Sequence, residues 1–472
     1  MPKIKAICRD KNNFQRQNIH EIEKVFRNTN PSLHPQFKAR EYVRALNSAK
    51  LDKIFAKPFI ASLDKHTDGI KSMSKNKKTL NEVVSGGFDG QIILWDMSRK
   101  VPVFDIKSTH EILKGVVFSY TGNEFLSIGD DSKINLWNKT LLYETKDSHS
   151  INNNLNTVSL YDYGVQEIKY DPKRTFTING SLESIDHSYY GSFFSTGGST
   201  LSIWDYERSF PIANYTFVSD GFIKVKYNYV QENVLLATGY NRSINLIDVR
   251  SSTPTHQVQL QNKSSAACWN PQEPFVFTVG NEDSNCYTFD MRRLEKAVVI
   301  HKDHYLAVLD LDYSPTGKEF VTGSFDKTVR IWGSSEGKSR EVYHNKRMQK
   351  VFSVQYTLDE RYVLSGSDDA NIRIWKSNAS EPYKLMTERE SQTLNYRKKL
   401  IEKFKYNPEV KRIIRKRNLP KYLVNQKNVR QVQKESKFKK MRNLERNSRA
   451  GTVDYSSERM KKIDNTGVID GK

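Results

Sequence analysis

The stretch Ser85-Gly86-Gly87-Phe88-Asp89-Gly90-Gln91-Ile92-Ile93-Leu94-Trp95-Asp96 decides the fold. A short apolar run reaches Ser and Gly, a turn carries Asp, and an alternating strand closes on Trp-Asp, the pattern of two strands joined by a tight turn. The same order recurs six times: Ser127 to Trp137, Ser195 to Trp204-Asp205, Ala237 to Ile247-Asp248, Thr278 to Phe289-Asp290, Thr322 to Trp332 and Ser365 to Trp375. The closing positions 95, 137, 204, 247, 289, 332 and 375 are separated by 42, 67, 43, 42, 43 and 43 residues.

A step of about 40–45 residues ending in a Trp-Asp-like pair is the WD-repeat signature, in which each repeat forms one four-stranded propeller blade. The sequence therefore reads as an all-β, seven-bladed WD-repeat β-propeller over 63–376. An N-terminal arm (1–62) and a basic, mainly helical C-terminal extension with a disordered tail (377–472) flank it. The 67-residue step places an insertion at about 141–166, where Ser148-His149-Ser150-Ile151-Asn152-Asn153-Asn154 is loop-like. Residues 63–70 are expected to supply the outer strand that completes the last blade.

The repeated polar residues have a structural purpose. In WD blades a His ahead of the first strand, a Ser or Thr, the turn Asp and the Trp form a hydrogen-bonded chain between polar groups that stacked sheets would otherwise bury unpaired. Four copies offer all four members: His66, Ser85, Asp89, Trp95; His110, Ser127, Asp131, Trp137; His304, Thr322, Asp326, Trp332; and His344, Ser365, Asp369, Trp375. The copies closing at 204, 247 and 289 are degenerate, lacking the turn Asp (third and fourth) or the Trp (fourth and fifth). A set that recurs in separate blades belongs to the fold, because an active site occurs once.

Charge is distributed unevenly. The whole chain carries +21, of which 1–62 holds +8, 377–472 holds +15 and the repeat region −2. A near-neutral core between basic extensions points to extensions that meet a polyanion. Cys8, Cys268 and Cys286 form no CxxC pair, so no zinc site or disulfide framework is indicated, and they read as buried or idle thiols. Met1–Asp10 has no apolar stretch suited to a signal peptide and no apolar run is long enough for a membrane span, so neither is expected. No GxxxxGK[ST], HExxH or GxSxG motif occurs, and His20-Glu21 and His110-Glu111 lack the second His of a zincin. The reading is a binding protein with no catalytic residues, cofactor, metal, membrane association or small-molecule substrate.

In the arm, Val43, Leu46, Ala49 and Lys50 fall at helical spacing, leaving Arg40, Arg44, Lys50 and Lys53 for RNA. In the extension, Leu385, Leu394, Leu400, Ile401 and Phe404 indicate a first helix, Pro408 interrupts it, and Val410–Arg417 makes a short second. From Lys421 to about Arg446 no Pro or Gly occurs and helix-forming residues dominate. A basic helix without a broad apolar face is not stable alone but can order against RNA phosphates, so the extensions are expected to be disordered in the free protein. The RNA-binding candidates are Lys411, Arg412, Arg415, Lys416, Arg417, Lys421, Lys427, Arg430, Lys437, Lys439 and Lys440, with Tyr422 and Phe438 as stacking or packing residues. The Lys411–Arg417 cluster also reads as a nuclear-import signal.

The flanks carry a resemblance that the blades do not. Asn30-Pro31-Ser32-Leu33-His34-Pro35 and the run from Arg40-Glu41-Tyr42-Val43-Arg44 to Lys57-Pro58-Phe59 lead into the first blade. With Tyr287-Thr288-Phe289-Asp290-Met291-Arg292, Arg340-Glu341-Val342-Tyr343-His344-Asn345-Lys346-Arg347-Met348-Gln349 and Lys411-Arg412-Ile413-Ile414-Arg415-Lys416-Arg417-Asn418-Leu419-Pro420-Lys421, they resemble the Sof (suppressor of fibrillarin) family. The resemblance implies a component of the U3 small nucleolar ribonucleoprotein, or small-subunit processome, acting in the nucleolus of the nucleus. Its partners would be other processome proteins, pre-ribosomal RNA and U3 RNA, on the path to 18S rRNA, without nuclease activity of its own. The 141–166 insertion and the tail beyond about Ala450 depart from the family. An alternative is a substrate receptor of a cullin–RING ubiquitin ligase. WD proteins that dock its adaptor often carry Asp-x-Arg just after a blade's closing position, as Asp248-Val249-Arg250 and Asp290-Met291-Arg292 do.

Overall fold

The structure, a computed structural model, describes residues 36–108, 110–142, 170–217, 220–251, 253–383, 385–449, 451–453 and 457–468. Most of the 141–166 insertion, Cys8, His20 and Asn30–Pro35 lie outside the described residues. Seven antiparallel sheets form the propeller expected from the repeats.

The sheets begin with β2 (Ile70–Lys75), β6 (Leu113–Phe118), β10 (Leu182–His187), β14 (Phe222–Tyr227), β18 (Ser264–Trp269), β22 (Val308–Tyr313) and β26 (Val351–Tyr356), the inner strands of blades 1 to 7. Each is followed by two central strands, in blade 1 β3 (Glu82–Gly87) and β4 (Gln91–Asp96), and then by an outer strand. The central strands are buried on both faces, as the burial of Val83 to Gly87 and Ile92 to Trp95 shows, and so read as near-continuous apolar runs. The core lies between blades. Val84, Ile92 and Phe104 of blade 1 pack with Leu113, Phe118 and Trp137 of blade 2 in one cluster. Trp137 stacks on Phe125 with ring centroids 6.2 Å apart, and Trp332 stacks on Phe320 at 6.1 Å.

The turns explain the repeated Asp. In six blades the residue after it, or after an Asn, adopts positive φ: Gly90, Ser132, Arg242, Ser284, Lys327 and Ala370. Asp89 accepts the Gln91 N–H at 3.1 Å and Asp326 the Thr328 N–H at 3.1 Å, holding the left-handed step in place. Only Gly90 requires glycine, because a Cβ there would fall 2.0 Å from the His110 carbonyl oxygen. Blade 3 turns more tightly between β11 (Phe193–Gly198) and β12 (Leu201–Asp205): three residues lie between the paired Gly197 and Leu201, against five between Gly86 and Ile92 of blade 1, which accounts for its missing Asp.

Ring closure occurs earlier in the chain than 63–70. Strand β1 (Phe59–Leu63) pairs antiparallel with β28 (Ile372–Lys376), with Phe59 opposite Trp375 and Leu63 opposite Ile372. Residues 63–70 instead carry His66 into the first inner strand. The 62/63 boundary therefore cuts through a propeller strand.

The chain divides into two compact units, and the division does not follow the 376/377 boundary either. One unit joins the arm up to Ala56 with Pro382–Lys416; the other joins Lys57–Glu381 with Arg417–Lys472. The first holds helices α1 (Phe37–Ile54), α2 (Glu388–Lys403) and α3 (Pro408–Ile414). Thr387 caps α2 in a reciprocal pair with Glu390, and Pro408 opens α3 at its first turn, where the missing N–H costs nothing. Helix α1 buries Ala45, Ser48 and Ala49, small residues that allow close helix approach; of the expected face Ala49 is buried and Leu46 half-buried, but Val43 is exposed, and Lys50 is exposed as well. Tyr42 packs edge-on to Phe404 at 5.9 Å and donates to Glu409 at 2.7 Å. Leu400 of α2 and Val410 of α3 are buried.

In the second unit helix α4 (Lys421–Asn447) follows the propeller, and β29 (Ile463–Val468) adds a fifth strand to blade 4 along β17 (Pro254–Leu260). The expected disordered tail is strand here because β17 is a sheet edge with free hydrogen-bonding groups. No helix among the described residues is long and apolar enough to cross a membrane.

Candidate nucleic-acid and adaptor interface

Two of the four expected hydrogen-bonded chains are complete. In blade 2, His110 Nε2 meets Ser127 Oγ at 3.0 Å, Nδ1 meets Asp131 at 2.7 Å, and Trp137 Nε1 donates to Ser127 at 3.0 Å. In blade 6, His304 Nε2 meets Thr322 Oγ1 at 2.6 Å, Nδ1 meets Asp326 at 2.9 Å, and Trp332 donates to Thr322 at 2.8 Å. Burial works against ionisation of Asp326, but His304 and Arg330 outweigh it and hold the carboxyl far below the usual range.

The other two differ from expectation. In blade 1 the chain His66–Ser85–Trp95 forms, at 2.6 and 2.8 Å, but Asp89 turns away to accept the Thr67 hydroxyl and leaves His66 Nδ1 without a partner. In blade 7 Trp375 donates to Ser365 at 2.7 Å, Asp369 pairs with Arg373, and His344 is absent from the chain. Six residues lie between His344 and Val351, the start of β26, against three between His304 and Val308; the longer approach carries the ring outward. His344 Nε2 instead donates to the Asn418 carbonyl at 3.1 Å.

Asn418 belongs to a segment that crosses the rim of the propeller. Asp303 is its first anchor. Its carboxylate takes Arg417 Nη1 at 2.6 Å and the Ser339 N–H at 3.0 Å, with Arg330 at 3.8 Å. Burial opposes ionisation of Asp303, yet Arg330 and Arg417 hold its carboxyl below the ordinary range. Tyr422 donates to the Asp326 carbonyl, and Leu423 is fully buried. Arg430 donates to the His304 carbonyl at 2.8 Å, to Ser284 Oγ at 3.2 Å and to the Tyr305 carbonyl, and its guanidinium lies 4.9 Å above the Tyr305 ring.

Arg417 and Arg430 are therefore corrected from RNA candidates to anchors of the extension, and Tyr422 is a packing residue. The extension is ordered by propeller carbonyls and Asp303, groups a sequence does not place beside it. The remaining RNA candidates are exposed: Lys411, Arg412, Arg415 and Lys416 in the helical unit, and Lys421, Lys427, Lys437, Lys439 and Lys440 on α4. Phe438 is exposed as well. Helix α4 carries nine Lys or Arg against two Glu. Within the described residues Leu423 is its one buried side chain.

The two Asp-x-Arg turns share a geometry. Arg250 Nε lies 3.3 Å from Asp248 and Arg292 Nη2 3.0 Å from Asp290, while both guanidinium groups remain largely exposed. Arg292 also covers the Phe275 ring at 4.6 Å. Each carboxylate thus fixes its arginine at a blade surface without burying it. Cys268 and Cys286 are buried free thiols, pushed upward by burial, Cys268 to about 12.

The comparisons with known proteins agree with this arrangement. A WD domain, G-beta repeat model matches residues 57–96, 296–333 and 338–376, and a Sof1-like domain model matches 377–463. Protein SOF1 of Saccharomyces cerevisiae is 37% identical over 98% of this chain and 94% of its own. This chain belongs to the Sof family of WD-repeat proteins. Family relatives from Danio rerio and Homo sapiens, each named DDB1- and CUL4-associated factor 13, are 40% and 39% identical over 98% of this chain and 99% of theirs. The Sof1-like region covers α2, α3, the Arg417 anchor and α4, and so spans both compact units.

Proposed function

We propose that this Sof-family protein is a non-catalytic scaffold of the small-subunit processome, the U3 small nucleolar ribonucleoprotein, required for pre-rRNA processing toward 18S rRNA. In this reading it acts in the nucleolus, binding processome proteins through the propeller and pre-ribosomal or U3 RNA through its basic extensions. Family membership supports the assignment. The observation that carries the RNA-binding part is α4, a 27-residue helix anchored at its start by Tyr422 and Arg430 and exposing its further lysines. A fixed row of cations on one helix neutralises phosphates without reordering, which favours association through counterion release. The test is crosslinking of the tagged full chain to RNA in cells, beside a Lys427, Lys437, Lys439 and Lys440→Gln variant. Reads concentrated on U3 RNA and the 5′ part of the pre-ribosomal transcript, reduced in the variant, support the reading. Background-level reads in the parent protein overturn direct RNA binding.

A second reading, docking to a cullin–RING ligase adaptor, is favoured by the exposed Arg250 and Arg292 and by the relatives' names. Arg250→Ala with Arg292→Ala should abolish co-purification of the adaptor and leave RNA crosslinking unchanged. Retained adaptor binding removes these turns from the reading.

A further inference from the structure

The inner strands of all seven blades enclose an axial cavity of about 610 Å³. Four of its acidic side chains, Glu183, Asp186, Asp310 and Asp312, are already engaged. Asp186 accepts the Tyr227 N–H at 2.8 Å, Asp310 the Val354 N–H at 3.0 Å and Asp312 the Tyr356 N–H at 2.8 Å, each tying one blade's inner strand to the next. Ser72 and Ser74 do the same for Val116 and Phe118 of blade 2. An inner strand is a sheet edge, so its N–H groups need such acceptors. Four lysines then balance the carboxylates: Lys226 on Asp186 at 3.0 Å, Lys224 on Asp310 at 3.2 Å, Lys75 on Asp312 at 2.8 Å and Lys114 on Glu183 at 3.2 Å.

Three more lysines, Lys71, Lys77 and Lys263, line the same cavity against one further carboxylate, Glu282. None of the three has a carboxylate within ion-pair range among the described residues. They rest on rings instead. Lys77 Nζ is 3.5 Å from the Tyr189 centroid and donates to the His187 carbonyl at 3.2 Å. Lys263 is 5.1 Å over Tyr240 and Lys71 5.9 Å over Phe88. Lys226 and Lys77 show what a counter-charge changes. Burial disfavours both ammonium groups, but Asp186 at hydrogen-bond distance lifts Lys226 above its ordinary value. Lys77, which lacks such a partner, falls to about 7.

We infer that the axial channel is a binding site for a compact anion carrying two or more phosphate groups, held by Lys71, Lys77 and Lys263 as a ligand and not as a substrate. The surplus cations supply the recognition, the neighbouring rings shield it from water, and the cavity falls in the size range of small-ligand sites. Linear polyphosphate, the tail of a nucleotide and an inositol polyphosphate share this chemistry.

The test uses the purified full chain, titrated calorimetrically with tripolyphosphate, ATP and inositol hexakisphosphate, and with orthophosphate as the single-phosphate control. Binding of at least one multiply phosphorylated probe, tighter than orthophosphate, is expected, and the tightest probe identifies the source. Lys77→Met and Lys71→Met should each weaken it about tenfold or more. In the absence of probe, Lys77→Met should unfold at the same or a higher temperature than the parent, since a buried amine with no carboxylate partner gives way to an apolar side chain. Lys437, Lys439 and Lys440→Gln on α4 should leave probe binding unchanged. Loss of binding in that α4 variant with none in Lys77→Met overturns the proposal, as does the absence of binding by every multiply phosphorylated probe.

Discussion

Blades 6 and 7 are neighbours that carry matching sets of four, with Thr322 in one where Ser365 stands in the other, and they use them differently. In blade 6 the chain from Asp326 through His304 and Thr322 to Trp332 is closed and buried. In blade 7 only the Trp375–Ser365 bond remains, Asp369 serves Arg373, and His344 faces the extension at Asn418. The lesson is one of reach. A Trp and a Ser on paired strands are held together by the ladder, whereas the His arrives on a loop whose length decides where it ends. Three extra residues before β26 convert a blade's internal histidine into a docking group.

The largest test of this contrast lies in the turn aspartates. Asp326 is fully buried and serves His304, Thr328 and Tyr305. Asp326→Ala should cost about 3 kcal/mol, because buried donors lose their acceptor. Asp89, which does not reach His66, should cost about 1 kcal/mol when replaced by Ala. Urea unfolding of both variants measures the gap; equal losses would break the distinction between closed and open chains.

A second test uses pH. Burial pushes His66, His187 and His301 down to about 4 from an ordinary 6.5. The unfolded chain therefore takes up protons that the folded chain refuses between those values. Stability is complete above about pH 6.5 and falls as pH drops toward 4, by about 1.4 kcal/mol per unit for each histidine. Urea midpoints at successive pH values should show this slope, and His66→Gln should lessen it. A flat profile across the window would mean that these rings are solvated.

The smallest effect is expected at His344. His344→Ala should change global stability by less than about 1 kcal/mol, since it removes one partly exposed bond. It should nevertheless raise amide exchange in 417–423. Arg430→Ala, which removes three anchoring bonds and the ring contact, should raise exchange over the first turns of α4 further. Unchanged exchange in both variants would detach the extension from the rim.

Much of this was legible in the sequence. The closing positions marked all seven blades, including the degenerate third to fifth, because the alternation that buries a central strand survives loss of the Trp. Absence of Pro and Gly from Lys421 to Arg446 marked α4. The roles of Arg417 and Arg430 were not legible. A basic cluster has the same composition whether it meets phosphate or the Asp303 carboxylate and the carbonyls of His304 and Tyr305. The closing strand was misplaced by a few residues because Phe59–Leu63 has no Trp-Asp ending of its own. The channel lysines left a trace in Ile70-Lys71, Leu113-Lys114 and Ile223-Lys224, an apolar residue followed by Lys near the start of an inner strand. The trace has meaning only once the strands are known to face one axis.

The pairing of β1 with β28 also sets an order of events during synthesis. Phe59 leaves the ribosome some three hundred residues before Trp375, its partner across the seam. Until then the outer strand of the last blade has no partner and the first blade lacks its neighbour across the seam. The nascent ring must wait open, with a strand edge at each end, and such edges invite pairing with other chains. Assembly partners or chaperones that attend the emerging chain therefore have a defined interval in which to act, ending when residues 372–376 reach β1.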